Sequence, residues 1–152
     1  MSEFKPFDDR LNGLIAALSP AARRKLAGEI AKELRKSQQQ RIKQQKAPDG
    51  SPYQARKSQP LRAKAGRIKR AMFQKIRTSR YMKVSGRNDA AMVEFTGKVQ
   101  RIARGHQYGL KDRTSPYSSY VHYPRRILLG LTEVERNKIH AIILASLNGG
   151  EL

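Results

Sequence analysis

The stretch "SPAARRKLAGEIAKELRKSQQQRIKQQKAPDGSPY" (Ser19–Tyr53) decides the fold, because it contains the strongest helix signal and the signal that ends it. Ser19 is a favourable N-cap, and Pro20 suits the first helical position because its missing N–H would have no partner there. At 48–50, "PDG" is a turn sequence: proline fixes φ, aspartate hydrogen-bonds its own backbone, and glycine accepts a positive φ. The stretch therefore predicts one long helix followed by a sharp turn.

The predicted long helix has a single narrow apolar stripe. Leu26, Ile30 and Leu34 recur every four residues, and beyond Leu34 the stripe thins to Ile42 alone. A helix over residues 20–45 would be about 39 Å long at 1.5 Å per residue. We expect its second half to project from the core or to pack on a neighbouring subunit. In a monomer, a solvated helix end is an equally good interpretation.

Other segments predict shorter elements on either side. "DDRLNGLIAAL" (8–18) predicts a helix that Asp8 or Asp9 caps, with Leu14 on its apolar face. "LRAKAGRIKRAMFQKIRTS" (61–79) predicts a second helix, with one apolar and one basic face. "YMKVSGRNDAAMVEFTG" (81–97) alternates around "GRND" and predicts a β-hairpin.

The C-terminal half completes an α+β prediction. "KVQRIARGHQYG" predicts a helix that ends at Gly105 or Gly109, and Pro124 limits any strand in "VHYPRRILLGL" to an edge. The "TEVE" box predicts the start of a last helix, which Val134, Ile139, Ile142, Ile143 and Leu147 would line. We expect N-terminal helices including one long helix, a basic arm, a small antiparallel sheet and a C-terminal helix. In a single domain over 1–152, these divide as 8–45 (helical part), 46–61 (turn and arm), 62–147 (α+β core) and 148–152 (tail).

Composition restricts the function. The chain has 152 residues, 38% of them apolar, and no cysteine, so neither disulfides nor Cys-based metal sites are possible. No apolar run reaches the roughly 18 residues of a membrane span, so we expect no membrane partner. The net charge is +20, and residues 21–87 hold 21 basic and three acidic side chains. Such a block favours an anionic partner: nucleic acid, an acidic protein surface or anionic lipid. Lipid is the weakest of the three, because the block lacks an amphipathic face with large aromatic side chains.

The sequence lacks a convincing catalytic set. His106, His122 and His140 show no metal-ligand spacing, and the acids that open the last helix suit the helix dipole. We therefore predict a protein that is not an enzyme and has no cofactor. The basic residues predicted to face DNA or a protein partner are Arg41, Lys46, Arg56, Lys57, Arg62, Lys64, Arg67, Lys69, Arg70, Lys75 and Arg77. The alternative interpretation is a solvated face that keeps the chain soluble.

An ordered set of motifs spans most of the chain. Arg41 and Gln45 precede "PDGSPY", the "ARGHQYG" box (103–109) follows, and "YPRRILLG" (123–130) comes before the last helix. In this order the chain resembles the phage virion-morphogenesis (tail-completion) family, typified by the S protein of contractile-tailed temperate phages. The residues that carry the resemblance in structural roles are Pro48, Asp49, Gly50, His106, Gly109, Pro124, Arg126 and Gly130.

The resemblance implies a structural role rather than catalysis. Proteins of this family act late in tail assembly, at the head-proximal end of the tail, and neck components form rings with six-fold or twelve-fold symmetry. The implied partners are copies of the chain itself, other neck and tail-end proteins, and the packaged DNA that passes through the lumen. The implied location is the virion neck, after assembly in the bacterial host cytoplasm. The competing hypothesis is a sequence-nonspecific nucleic-acid-binding protein of a mobile element.

Overall fold

The computed structural model describes residues 5–56, 71–113, 117 and 119–149. Within these residues the chain forms two compact units. Unit 1 contains residues 5–35, 84–94 and 133–149, and unit 2 contains the described residues of 36–83 and 95–132. The prediction of a single domain over 1–152 stays a prediction.

The described elements are four helices and two small sheets, which confirms the α+β class. In chain order they are α1 (Lys5–Ala16), α2 (Pro20–Lys43), β1 (Met82–Gly86), β2 (Ala91–Phe95), α3 (Gly97–Tyr108), β3 (Lys111–Asp112), β4 (Val121–His122) and α4 (Glu133–Gly149). Within the described part of the chain, β1 pairs with β2 and β3 pairs with β4, as two antiparallel two-stranded sheets. The hairpin, the helix before Gly109 and the last helix lie where the sequence predicted them.

Unit 1 has an apolar core between helices. Leu26 of α2 and Ile143 of α4 are its buried centre. Around them pack the partly buried side chains of Ile15, Leu18, Ile30, Ile139, Ile142 and Leu147. The N-terminus of α2 forms as predicted, because the Ser19 hydroxyl accepts a hydrogen bond from the backbone N–H of Ala22 at 3.2 Å.

Unit 1 also contains a close approach of two backbones. A Cβ added at Gly86, the last residue of β1, would lie 2.8 Å from Gly28 Cα and 2.9 Å from the carbonyl carbon of Ala27. Only glycine at position 86 leaves room for the backbone of α2. The small residues at positions 27, 28 and 86 therefore let the hairpin lie directly on the helix.

Three details of unit 1 differ from the prediction. α1 begins at Lys5, so Asp8 and Asp9 lie inside the helix and cannot cap it. Leu14 is 47% exposed and Val134 is 65% exposed, so neither belongs to the apolar face assigned to it. Helical periodicity placed both on a hydrophobic side, but only the part of that side that meets another element is buried.

In unit 2 one side of the end of α2 is buried, so the prediction that this half projects from the core was wrong. Packing of its exposed side on a neighbouring subunit stays a prediction. Ile42 is completely buried and Gln38 is 4% exposed. The buried stripe of α2 continues past Leu34. Gln38 keeps the four-residue spacing, although its side chain is polar. A buried amide needs hydrogen-bond partners, and the segment after β4 provides them.

The predicted helix over 61–79 is wrong for its described part. Residues 71–79 form turns, and Phe73 has a φ of 67°, a left-handed value that a helix interior does not accept. Phe73 is nonetheless buried, so packing of its ring outweighs the conformational cost. Residues 61–70 lie outside the described part.

α3 ends at a glycine cap that precedes β3. Gly109 has a φ of 64° and caps the helix, with its N–H directed at the carbonyls of Gly105 and His106. β3 then pairs with β4, with Lys111 opposite His122 and Asp112 opposite Val121. This places the segment after β4 beside α3.

Candidate functional site

The "ARGHQYG" and "YPRRILLG" motifs meet at a buried pair of side chains. His106 is 9% exposed and Arg126 is 5% exposed. An Arg126 guanidinium nitrogen donates to His106 Nδ1 at 3.1 Å, and the Arg126 backbone N–H donates to the His106 carbonyl at 2.8 Å. Because arginine can only donate, His106 Nδ1 accepts and its ring is neutral.

Arg126 also fixes the segment that follows the Pro-Asp-Gly turn. Its Nε donates to the carbonyl oxygen of Gln54 at 2.7 Å, and a terminal nitrogen donates to that of Ala55 at 3.4 Å. A buried guanidinium is tolerated where several acceptors surround it. Arg126 therefore ties the chain at residues 54–55 to the end of α3.

Aromatic rings surround the buried histidine. The rings of Phe73 and Tyr123 lie 4.8 and 4.4 Å from the His106 ring, and Tyr53 meets Phe73 edge-on at 5.6 Å. Burial lowers the pKa of His106 to about 4, and the charge of Arg126 acts in the same direction. Burial also raises the pKa of Tyr53 to about 12, and its hydroxyl donates to the carbonyl of Ile127 at 2.9 Å.

Two amide side chains hold the segment after Arg126. Gln107 Oε1 accepts from the N–H groups of Leu128 and Leu129 at 2.8 and 3.0 Å, and its Nε2 donates to the Leu129 carbonyl at 2.9 Å. Gln38 Oε1 accepts from the Gly130 N–H at 3.0 Å. This irregular backbone has no sheet to satisfy its N–H and C=O groups, and the two amide side chains bond to them instead.

Arg41 belongs to the same network. It donates to Gln38 and to the carbonyls of Leu128 and Gly130, the last two at 3.4 and 3.3 Å. A Cβ at Gly130 would collide with the ring of Pro48, so this position accepts only glycine without rearrangement. The "PDG" turn thereby packs on "YPRRILLG".

Gln45 holds the chain at Met72, which follows the basic sequence after Ala55. Its amide oxygen accepts from the Met72 N–H and its amide nitrogen donates to the Met72 carbonyl, both at 2.8 Å. Gln45 itself has a φ of 61°, which ends α2 and turns the side chain toward residue 72. One glutamine thus satisfies both polar groups of one backbone residue.

The turn at 47–51 forms by the mechanism that the sequence predicted. Gly50 has a φ of 87°, and an Asp49 carboxylate oxygen accepts from the Ser51 N–H at 2.9 Å. The hydrogen bonds from Ser51 lower the pKa of Asp49. An isolated bridge between Lys46 and Pro52 closes the turn.

The predicted basic residues lie in different environments. Arg41 is a hydrogen-bond donor within unit 2, Arg77 is half-buried, and Lys46, Arg56 and Lys75 are exposed. Their roles toward DNA or a partner stay predictions. Those that lie outside the described residues are Lys57, Arg62, Lys64, Arg67, Lys69 and Arg70.

The residues singled out for structural roles lie close to one another in unit 2. Pro48 packs at Gly130, Asp49 and Gly50 form the turn, His106 bonds Arg126, Gly109 caps α3, and Pro124 lines an open hollow beside Gly109. Sequence reasoning missed Gln38, Gln107 and the Arg101–Asp112 pair. The signal for Gln38 was available: it falls on the apolar stripe of α2.

Arg101 and Asp112 connect α3 to β3. Arg101 Nε donates to an Asp112 carboxylate oxygen at 2.9 Å, and a second Arg101 nitrogen contacts the other oxygen. This hydrogen-bonded guanidinium lowers the pKa of Asp112. Periodicity could not indicate this pair, because the two partners lie on different elements.

The described residues offer no site for a metal ion. No three His, Asp or Glu side chains among them lie close enough together to bind one. No helix in the described part of the chain is long and apolar enough to cross a membrane.

Comparisons with known proteins agree with the motifs. The sequence matches the phage virion morphogenesis family over residues 2–148. It is 49% identical over 148 residues to tail completion protein S of Escherichia phage P2, covering 97% of this chain and 99% of the relative. No solved structure matches significantly. The chain belongs to the phage virion morphogenesis family.

Proposed function

We propose that this chain is a structural tail-completion protein that acts in phage tail assembly. The observation that carries the proposal is its 49% identity to the tail completion protein of Escherichia phage P2 over almost the full length of both chains. A match of that extent includes both units. A shared role is therefore a better inference than a shared fold alone.

The geometry of unit 2 supports a structural role without catalysis or cofactor. Four buried or half-buried side chains hydrogen-bond to main-chain groups of the same unit: Gln38, Arg41, Gln107 and Arg126. Each bond fixes backbone that neither helix nor sheet satisfies. Such groups position a surface rather than activate a substrate.

The finer part of the proposal is the location. The chain acts as a ring subunit, six-fold or twelve-fold, at the head-proximal end of the tail in the virion neck, and assembles there in the host cytoplasm. Its partners are copies of itself, other neck and tail-end proteins, and the packaged DNA. The exposed apolar side chains of Leu14, Val134 and Leu144 in unit 1 are available for protein contacts.

Complementation tests the role directly. Deleting the gene from its phage should lower the infectious titre by orders of magnitude, with free heads and unattached tails visible by electron microscopy. Expression of the intact chain in trans should restore joined particles. Normal joining in the deletion strain would contradict the proposal.

The nucleic-acid-binding alternative predicts different particles. A ring subunit should elute as an oligomer in size-exclusion chromatography with light scattering, or should become oligomeric in purified particles. A chain that stays monomeric, is absent from particles and binds duplex DNA at physiological salt would favour the alternative.

The basic sequence that contains residues 67–70 provides a finer test. Arg67, Lys69 and Arg70 lie in the densest run of charge, so changing all three to Gln should block head joining without lowering the melting temperature. The control changes the exposed Arg24, Lys25 and Lys32 of α2, which removes the same charge. Normal joining with the first variant would show that this charge only keeps the protein soluble.

A further inference from the structure

The two units differ completely in charge. The segments of unit 1 contain ten basic and ten acidic side chains, whereas those of unit 2 contain 22 basic and two acidic ones. All of the net charge of +20 therefore belongs to unit 2. The sequence placed this excess in residues 21–87, which hid a second concentration between residues 95 and 132.

Both acids of unit 2 are already engaged. Asp49 accepts from Ser51 within its turn, and Asp112 accepts from Arg101 and from the Arg113 N–H at 2.7 Å. Two carboxylates cannot balance the 22 basic side chains of the unit. We therefore expect the positive charge of unit 2 to attract an external anion.

The β3–β4 hairpin presents part of this charge on one face. Successive residues of a strand point to opposite faces, so Asp112 points one way while Lys111 and Arg113 point the other. The exposures agree, since Asp112 is buried and Lys111 and Arg113 are exposed. The Arg101–Asp112 pair holds the opposite face against α3.

Aromatic side chains share the exposed face. The register that pairs Lys111 with His122 places Tyr120 opposite Arg113, and the guanidinium carbon of Arg113 lies 4.8 Å from the centre of the Tyr120 ring. Tyr120 is 64% exposed. We call Lys111, Arg113, Tyr120 and His122 the ribbon face.

The outer face of α3 adds further cations. At 100° per residue, Lys98, Arg104 and Tyr108 fall within about 120° of arc and along about 15 Å of the helix axis. All three are exposed, and they lie opposite the buried side chain of Ala103. A DNA duplex presents several phosphates over that length.

We propose that the ribbon face binds the backbone of double-stranded DNA. Lysine, arginine and tyrosine side chains are donors to phosphate oxygens, and three of the four ribbon-face residues are of these types. The same face of a second copy is a poor occupant, because it would bring the same positive charge. A lipid surface is also a poor one, because Tyr120 alone among the four ribbon-face residues is a large hydrophobic side chain. The inference does not depend on the tail-completion role.

Fluorescence anisotropy with the full chain and a labelled random-sequence duplex tests the proposal. Lys111→Gln with Arg113→Gln should weaken binding about tenfold or more near physiological salt. The slope of log K against log salt should become shallower by about 2, because each lost phosphate contact removes about 0.9. Circular dichroism should show the same helix content as the unchanged chain.

Matched variants keep the test decisive. Arg24→Gln with Lys25→Gln removes the same charge from an exposed part of unit 1 and should leave the slope unchanged. Lys111→Arg with Arg113→Lys keeps the charge and should retain binding. Equal losses from both Gln pairs would overturn the proposal, because only net charge would matter. Stronger competition by polyglutamate than by unlabelled duplex would also overturn it and would assign the face to an acidic protein.

Discussion

Unit 1 is electrically neutral and centres its core on aliphatic side chains between helices, whereas unit 2 carries the whole net charge and buries hydrogen-bonded polar side chains beside its apolar ones. In unit 1, Leu26 and Ile143 form the centre of the core. In unit 2, buried Gln38 and Arg126 bond to irregular backbone. The difference teaches that a charged unit with little sheet can still be well defined, provided that side chains satisfy its backbone.

The buried arginine gives the sharpest test of this contrast. Arg126→Met should lower the free energy of unfolding by about 3–5 kcal/mol, because the carbonyls of Gln54 and Ala55 and the ring of His106 lose their donor. Arg125→Met at the exposed neighbour should change it by less than about 0.5 kcal/mol. Urea unfolding of both variants measures the difference. Similar effects at the two positions would contradict a network held by Arg126.

Unit 1 should respond to loss of volume instead. Ile143→Ala should lower the free energy of unfolding by about 3 kcal/mol, because it leaves a cavity beside Leu26. Leu144→Ala at a position that is 39% exposed should cost clearly less. Thermal unfolding of the pair separates cavity formation from a general loss of helix stability. Equal losses would show that the core is not centred on Ile143.

Acid should weaken unit 2 through His106. Its pKa is about 6.5 when unfolded and about 4 when folded, so the unfolded chain binds the proton more readily. This stability is present above pH 6.5 and is lost as the pH falls toward 4, by about 2–3 kcal/mol at pH 4.5. Urea unfolding at pH 7 and 4.5 should show the loss in the unchanged chain and after His122→Gln, but not after His106→Gln. A loss that persists in the His106 variant would exclude this cause.

Two glycines in unit 1 should give opposite, smaller effects. Gly86→Ala should cost about 1–3 kcal/mol, because the new Cβ meets the backbone of Gly28. Gly28→Ala should stabilise by about 0.5–1 kcal/mol, because nothing lies within 4 Å of the added Cβ and alanine favours the helix. Melting temperatures that fall in both variants would contradict the packing of β1 on α2.

Local rules predicted the elements that depend on neighbours in the sequence. The Ser19 cap, the turn at Asp49 and Gly50, and the left-handed Gly109 all involve bonds over a few residues. Pattern reasoning failed where distant residues decide. Periodicity marked the positions of Gln38 and Phe73 as buried, but it could not indicate the remote partners that hold them or the turn in which Phe73 lies.

The candidate site shows the same division. The motifs pointed to His106 and Arg126 separately, but not to the hydrogen bond between them. The ribbon face was missed because charge was counted along the chain, where the nearby acids of unit 1 concealed the cations of unit 2. A pairing register was needed to place Arg113 beside Tyr120.

The hydrogen bonds of Arg126 and Gln45 limit how far the basic sequence between residues 55 and 72 can extend. Arg126 holds the chain at Ala55 and Gln45 holds it at Met72, so both ends of the intervening sequence are fixed. Even a fully extended chain advances only about 3.5 Å per residue, so the midpoint between the anchors reaches at most about 30 Å from either one. A partner captured by this segment is thus delivered to within that radius of unit 2, whatever conformation the segment adopts.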